Sequence, residues 1–126
     1  MKFTAIRENH LYQKAYSKGK RFVTPALAVY VLPDWKREQL KRAHPLKIMV
    51  NRIGLTVSKK LGGSVVRSRT RRVLREAYRQ LDKQCGIKTG FLVVLAARQD
   101  ATTMKSTEIA VQLYTALAKL DMLKKK

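Results

Sequence analysis

The segment from Lys59 to Arg79, KKLGGSVVRSRTRRVLREAYR, constrains this chain more than any other. It carries eight Lys/Arg residues against one acid, Glu76, and sets them behind a strand and a Gly62-Gly63 turn. Beyond the glycines the apolar residues recur at helical spacing. At about 100° per residue, Val66, Thr70, Val73, Leu74, Ala77 and Leu81 share one stripe of a helix expected over residues 65–84. Arg67, Arg71, Arg72, Arg75 and Arg79 are expected on the opposite side, with Arg69 at the flank. Ser64 is the expected N-cap, and Gly86 marks the stop. Solvated helix faces ordinarily mix signs to gain i,i+4 pairs. Six arginines between 67 and 79 with a single glutamate forgo that gain. The ligand class that offsets their repulsion is a polyphosphate backbone, which arginine clamps in bidentate fashion.

Composition narrows the class. A chain of 126 residues is one domain, residues 1–126, with a single real core. Its apolar content of 45% excludes a disordered basic tail. The 28 Lys+Arg against 8 Asp+Glu give a formal charge of +20, which opposes compaction unless a polyanion neutralises it. A basic membrane-surface protein is the alternative, disfavoured by the arginine-rich, folded character. No stretch approaches the ~20 apolar residues of a membrane span. The opening MKFTAIRENH has charge but no apolar signal-peptide core. Cys85 is the single cysteine, which forms no internal disulfide and suits a reducing cytosol.

The remaining elements follow from periodicity. Residues 8–18 read as a short helix, with Leu11 and Ala15 on one stripe, Tyr12 and Tyr16 on another, and Gly19 as the stop. Ala26 to Leu32 alternates as a strand: Leu27, Val29 and Val31 face one way, Ala28 and Tyr30 the other, and Pro33 ends it. Residues 34–47 read as a basic loop in which Trp35 packs on a neighbouring strand. A second strand is expected over 48–58, with Ile53, Leu55 and Val57 opposite Gly54, Thr56 and Ser58. The continuous apolar run Gly90–Ala97 is expected to be a central strand buried on both faces. A last helix over 106–123 buries Ile109, Leu113, Ala116, Leu117 and Leu120, and residues 124–126 form a basic tail. Helix, strands, helix, strand, helix makes an α+β sandwich around one sheet.

Catalytic constellations are not visible. A protein nuclease needs clustered carboxylates for metal ions or a histidine pair for acid–base work. The eight acids are scattered singly, and His10 and His44 lie far apart. There is no metal-ligand spacing, no GxxxxGK[ST] loop and no Ser or Cys nucleophile in a recognisable setting. Neither catalytic nor metal-binding residues are expected in the chain. Tyr12, Tyr16 and Tyr30 are either core aromatics or a platform on which unpaired bases stack, at ~1–3 kcal/mol per base. Lys14, Lys18, Lys20 and Arg21 beside them suit a single-strand groove. A DNA-binding repressor needs a helix-turn-helix and a dimer surface, and the sequence shows neither. A structural ribosomal protein shares the charge and the size.

From Lys59 to Glu76 the sequence resembles the protein subunit of bacterial ribonuclease P, whose signature reads roughly KKxGxAVxRNxxKRxxRE. Lys59-Lys60, Gly62, Val65, Arg67, Arg72, Arg75 and Glu76 stand in its places. Ser64 replaces the usual alanine, Arg71 the usual lysine, and Ser68 the family's asparagine, whose amide donates and accepts more widely than a hydroxyl. Leu11-Tyr12-Gln13-Lys14-Ala15-Tyr16 with Gly19 is similar to the family's first helix, and Ala97-Arg98 followed by Ala101 to the end of its last strand. The 34–47 loop and the tail lie outside the likeness.

The resemblance implies a ribosomal-protein-like two-layer sandwich, a four-stranded mixed sheet with three helices and a left-handed βαβ crossover. Periodicity has no access to that hand, and the default is right-handed. The implied activity is endonucleolytic removal of the 5′ leader from precursor tRNA by a ribonucleoprotein. Catalysis belongs to the RNA subunit with its magnesium ions, and the isolated protein is not expected to cleave. Carried over, Arg67, Ser68, Arg69, Arg71, Arg72 and Arg75 would contact the catalytic RNA, with Lys59, Lys60 and Arg79 on the same basic surface. Tyr12, Tyr16 and Tyr30, with Lys14 and Lys20, would receive the leader. The implied partners are the catalytic RNA and precursor tRNA, for a cytoplasmic protein that is monomeric when free.

Overall fold

The apolar run 91–97 becomes the axis of the molecule because both of its edges find a partner strand. A computed structural model describes residues 3–5, 9–33, 51–88 and 90–123. The expected 34–47 loop, residues 48–50 of the second expected strand and the 124–126 tail lie outside them. In chain order the elements are β1 (Phe3–Ala5), α1 (Asn9–Lys18), β2 (Lys20–Val23), β3 (Leu27–Pro33), β4 (Asn51–Thr56), α2 (Ser64–Gln84), β5 (Phe91–Ala97) and α3 (Ser106–Lys119). Short 3-10 turns occupy Lys59–Leu61 and Gln99–Thr102. The strand order is β1-β4-β5-β3-β2. β5 runs parallel to β4 and antiparallel to β3, so the sheet is mixed and α2 is the crossover between two neighbouring parallel strands.

Strand parity then builds two cores. Val93 and Leu95 of β5, level with Val29, Val31, Ile53 and Leu55, face one way and are covered by Leu74, Ala77, Tyr78 and Leu81 of α2 and Ile109, Leu113, Ala116 and Leu117 of α3. Leu92 and Val94 face the other way and meet Ala15, Tyr12, Tyr30 and Leu32. The three helices and the mixed sheet of strands β2–β5 are as anticipated, with α2 and α3 layered on one face. Two features extend this arrangement: α1 lies on the reverse face, and three-residue β1 adds a fifth strand beside β4. β2 escapes a reading by periodicity because Lys20-Arg21-Phe22-Val23 is short, half charged and an edge strand with three exposed positions.

Local chemistry decides where α2 begins and how it is turned. The expected N-cap, Ser64, is the first helical residue instead. Gly63 caps in extended conformation, without a side-chain bond. Ser58 does the capping one element earlier, its Oγ accepting from Lys60 N at 3.2 Å. At the far end Gly86 takes the left-handed conformation, φ 76°, and its N–H bonds the Leu81 and Asp82 carbonyls as anticipated. The buried stripe is Thr70, Leu74, Ala77, Tyr78 and Leu81, so Tyr78 joins it while Val66 is left at the rim. The reason is polar. Asn51 Nδ2 donates to the Tyr78 hydroxyl and to Lys88 O, both at 2.8 Å, and Asn51 Oδ1 accepts from Phe91 N at 3.0 Å. One amide thus ties α2 to the starts of β4 and β5. Burial pushes the Tyr78 phenol well above its ordinary pKa, with the Asn51 bond opposing that shift.

On the reverse face Gly54 makes room for an aromatic ring. A Cβ there would stand 2.5 Å from Tyr12 Cε1 and 2.8 Å from its hydroxyl. Gly54→Val should therefore destabilise by about 1–3 kcal/mol through overpacking, measured by urea unfolding. In a Tyr12→Ala background the same change should cost much less. Equal costs in both backgrounds would show that the ring does not occupy that space.

Candidate nucleic-acid interface

Three tyrosines from two elements meet on the α1 side of the sheet. Tyr12 lies against Gly54, and Tyr16, one turn on, reaches Tyr30 of β3 with ring centroids 4.8 Å apart at 78°. The Tyr16 hydroxyl donates to Thr56 Oγ1 at 3.3 Å. Tyr12 and Tyr30 are half-buried and pack on the small core around Val94, whereas Tyr16 is 40% exposed. Tyr12 and Tyr30 thus help close a core, and Tyr16 leaves part of its side chain open to solvent. Lys14 is half-buried on the same helix.

β2 corrects one expectation. Lys20 pairs with Val31, whose side chain belongs to the α2/α3 core, so Lys20 points to the sheet face away from the tyrosines. Arg21 pairs with Tyr30 and is exposed beside it. Of the two β2 cations, Arg21 is the one on the tyrosine face. The signal is period-2 alternation, legible once residues 20–23 are known to be a strand.

The arginines of α2 divide into three groups instead of forming one face. Arg67 and Arg71, expected opposite the buried stripe, lie half-buried at its border, because at about 100° per residue Arg67 stands about 20° from both Leu74 and Tyr78, and Arg71 about 20° from Tyr78. Arg71 lines a cleft of about 410 Å³ with Tyr16, Thr56, Ser58, Ala96 and Ala97. Its charge is felt at the Tyr12 phenol, whose pKa burial raises, Tyr16 raises further and Arg71 lowers. The Nε of Arg67 is buried with no hydrogen-bond partner among the described residues. Ser68, Arg72, Arg75 and Arg79 are exposed on the outer side, and Lys59 and Lys60 are exposed in the turn before the helix. Arg69 is engaged within the protein: Nη1 donates to Thr102 O at 3.0 Å and Nη2 to Met104 O at 3.4 Å, tying α2 to the segment that leads into α3.

The cleft thus joins an aromatic edge, a hydroxyl and a guanidinium where the small residues Ala96 and Ala97 leave β5 uncovered. Such a place takes a base by stacking and its phosphate by charge. Among the described residues no group of three or more His, Cys, Asp or Glu gathers to hold a metal ion.

The division of the arginines is measurable. Arg69→Ala should cost about 1–2 kcal/mol in unfolding, as for a hydrogen-bonded charge, and leave the salt dependence of RNA binding unmoved. Arg75→Ala should stay within about 0.5 kcal/mol of the parent in stability. It should flatten the slope of log K against log [salt] by a little under one, by analogy with duplex DNA. The reverse pattern would put Arg69 on the polyanion.

Comparison with known proteins gives the family. The sequence profile of the Ribonuclease P family matches residues 1–121. The ribonuclease P protein component of Clostridium acetobutylicum is 38% identical over 109 residues, covering 86% of this chain and 82% of its own. That of Alkaliphilus oremlandii is 30% identical over 118 residues, covering 94% and 91%. A solved Staphylococcus aureus RNase P protein, a mutant described as having defective mRNA degradation activity, shares the fold with a TM-score of 0.73 and 26% identity over 94% of this chain and 88% of its own. With a basic helix, an aromatic sheet face and a match that runs nearly end to end, this chain belongs to the ribonuclease P protein family.

Proposed function

We propose that this chain is the accessory RNA-binding subunit of a ribonucleoprotein endonuclease, ribonuclease P, which removes the 5′ leader of precursor tRNA. The observation that carries the reading is the cleft where Tyr16 and Thr56 meet Arg71 of the basic helix. A single-stranded leader lies there, its bases against Tyr16 and Tyr30 and its backbone near Arg21, Arg67 and Arg71. Arg72, Arg75 and Ser68 on the outer side hold the catalytic RNA, with Lys59, Lys60 and Arg79. Two polyanions that repel each other are thereby bridged by one strongly cationic body.

In this proposal the chemical step belongs to the RNA subunit and the magnesium ions bound to it. The chain's own residues bind, orient and screen charge. It is a cytoplasmic protein, monomeric before assembly. Among the described residues no helix is long and apolar enough to cross a membrane. The family match favours this reading over the ribosomal one, which shares the charge and size.

Tyr16→Leu with Tyr30→Leu keeps much apolar bulk and removes the rings. The assembled enzyme should lose about 1–3 kcal/mol per stacked base in binding precursor tRNA, while its affinity for mature tRNA barely moves. Equal losses for both substrates would assign these tyrosines to the core alone. A second expectation concerns the chain by itself. Freed of all RNA and given magnesium, it should cleave neither precursor tRNA nor mRNA, the latter included because of the Staphylococcus aureus relative's description. Cleavage that survives nuclease-free purification would place the chemistry in the protein.

A further inference from the structure

On the side of α2 away from the cleft, α2 and α3 leave a groove of about 600 Å³ between them, lined by Glu76, Arg79, Gln80, Lys83, Gln84 and Thr107. Every lining residue is polar. Arg79 and Lys83 are exposed and one turn apart, and Gln80 and Gln84 form a parallel row beside them. With Arg72 and Arg75 the two cations continue an exposed ladder along α2, over about 16 Å at the helical rise. Arg79 is 3.6 Å from Glu76 in an exposed i,i+3 pair. Such a pair contributes little, so the guanidinium is free to turn to a stronger anion. Gln80 Nε2 donates across the groove to Ser106 Oγ at 3.4 Å, a long bond that a ribose hydroxyl can displace.

The opposite wall has different chemistry. From Ser106 to Ala118 the only charge on α3 is Glu108, and its solvent side shows Val111, 68% exposed, and Tyr114, 41% exposed. Cations on one wall alone suit one polyanion strand lying along α2, not one that crosses α3. The carboxamides add a preference. Each both donates and accepts, as a 2′-hydroxyl does, and that hydroxyl is what separates RNA from DNA.

We infer that the outer RNA-binding surface of α2 continues into the α2–α3 groove, which holds a sugar–phosphate strand along α2 with Arg79 and Lys83 on phosphates and Gln80 and Gln84 on ribose 2′-hydroxyls. It rests on the reading of α2 as an RNA-binding helix. Arg71 borders the cleft while Arg79 and Lys83 border the groove, so α2 stands between two RNA segments.

The test uses the full chain and a bacterial ribonuclease P RNA transcript as probe, with affinity followed across a salt series and folding checked by thermal unfolding. Arg79→Ala with Lys83→Ala should weaken binding and flatten the log–log salt slope by about one to two, with the unfolding midpoint unchanged. Gln80→Leu with Gln84→Leu should reduce affinity several-fold and leave the slope alone, since neutral contacts release no counterions. Arg72→Ala with Arg75→Ala is the companion. If the companion loses affinity and both groove pairs are silent, the groove is not an RNA surface and the inference is overturned, as it also is if the groove serves a protein. If the companion is silent too, the assignment of α2 itself fails. A flattened slope with an unchanged glutamine pair overturns the ribose assignment.

Discussion

Everything in this molecule is arranged around β5. It is paired along both edges, to β3 and β4, and Leu92, Val93, Val94 and Leu95 are all fully buried. A strand in that position needs cover on both faces, and its alternation sends the even residues to α1 and the odd ones to α2 and α3. The cover stops where the side chains become small. Ala96 and Ala97 give the neighbouring helices little to bury, and the cleft opens there, between Tyr16 and Arg71. The cleft is therefore the end of the core rather than an addition to it.

The charge is managed by distribution. A formal +20 on 126 residues would hinder compaction if it were spread evenly around the core. Instead α2 carries its arginines along two sides and part of a third, while the outward side of α3 is almost uncharged. One arginine is diverted inward: Arg69 satisfies two backbone carbonyls before α3 and so fixes the angle at which the charged helix leaves the sheet. The Asn51 amide does the same at the other end, through Tyr78, Lys88 and Phe91. Both anchors are polar and specific, whereas apolar packing alone would allow α2 to roll.

That roll separates what periodicity reads from what it cannot. The order of the longer elements, the strand faces of Ile53 and Leu55, the burial of β5 on both sides and the stop at Gly86 follow from spacing and turn chemistry. They are local, and a helix or strand period reports them directly. β2 was illegible because four half-charged residues on a sheet edge carry no period, and with it went the placement of Lys20 and Arg21. Ser64 has the composition of an N-cap, but the cap falls on Gly63 because the extended turn is completed one residue earlier.

By itself, the sequence determined that this chain folds as an α+β sheet protein, that a basic helix follows a glycine turn, and that its charge suits a polyanion. Charge, periodicity and glycine position are properties of the chain, and no tertiary contact is needed to express them. Only the tertiary structure decided which arginines meet the tyrosines. A helix wheel gives relative angles, and Tyr78, bonded to Asn51 across 27 residues, widens the buried stripe toward Arg67 and Arg71. Arg71 thereby lies at the border of the core beside a ring from α1, with Arg67 half-buried one turn before it. Arg72, Arg75 and Arg79 face outward, and so one helix has two separate surfaces.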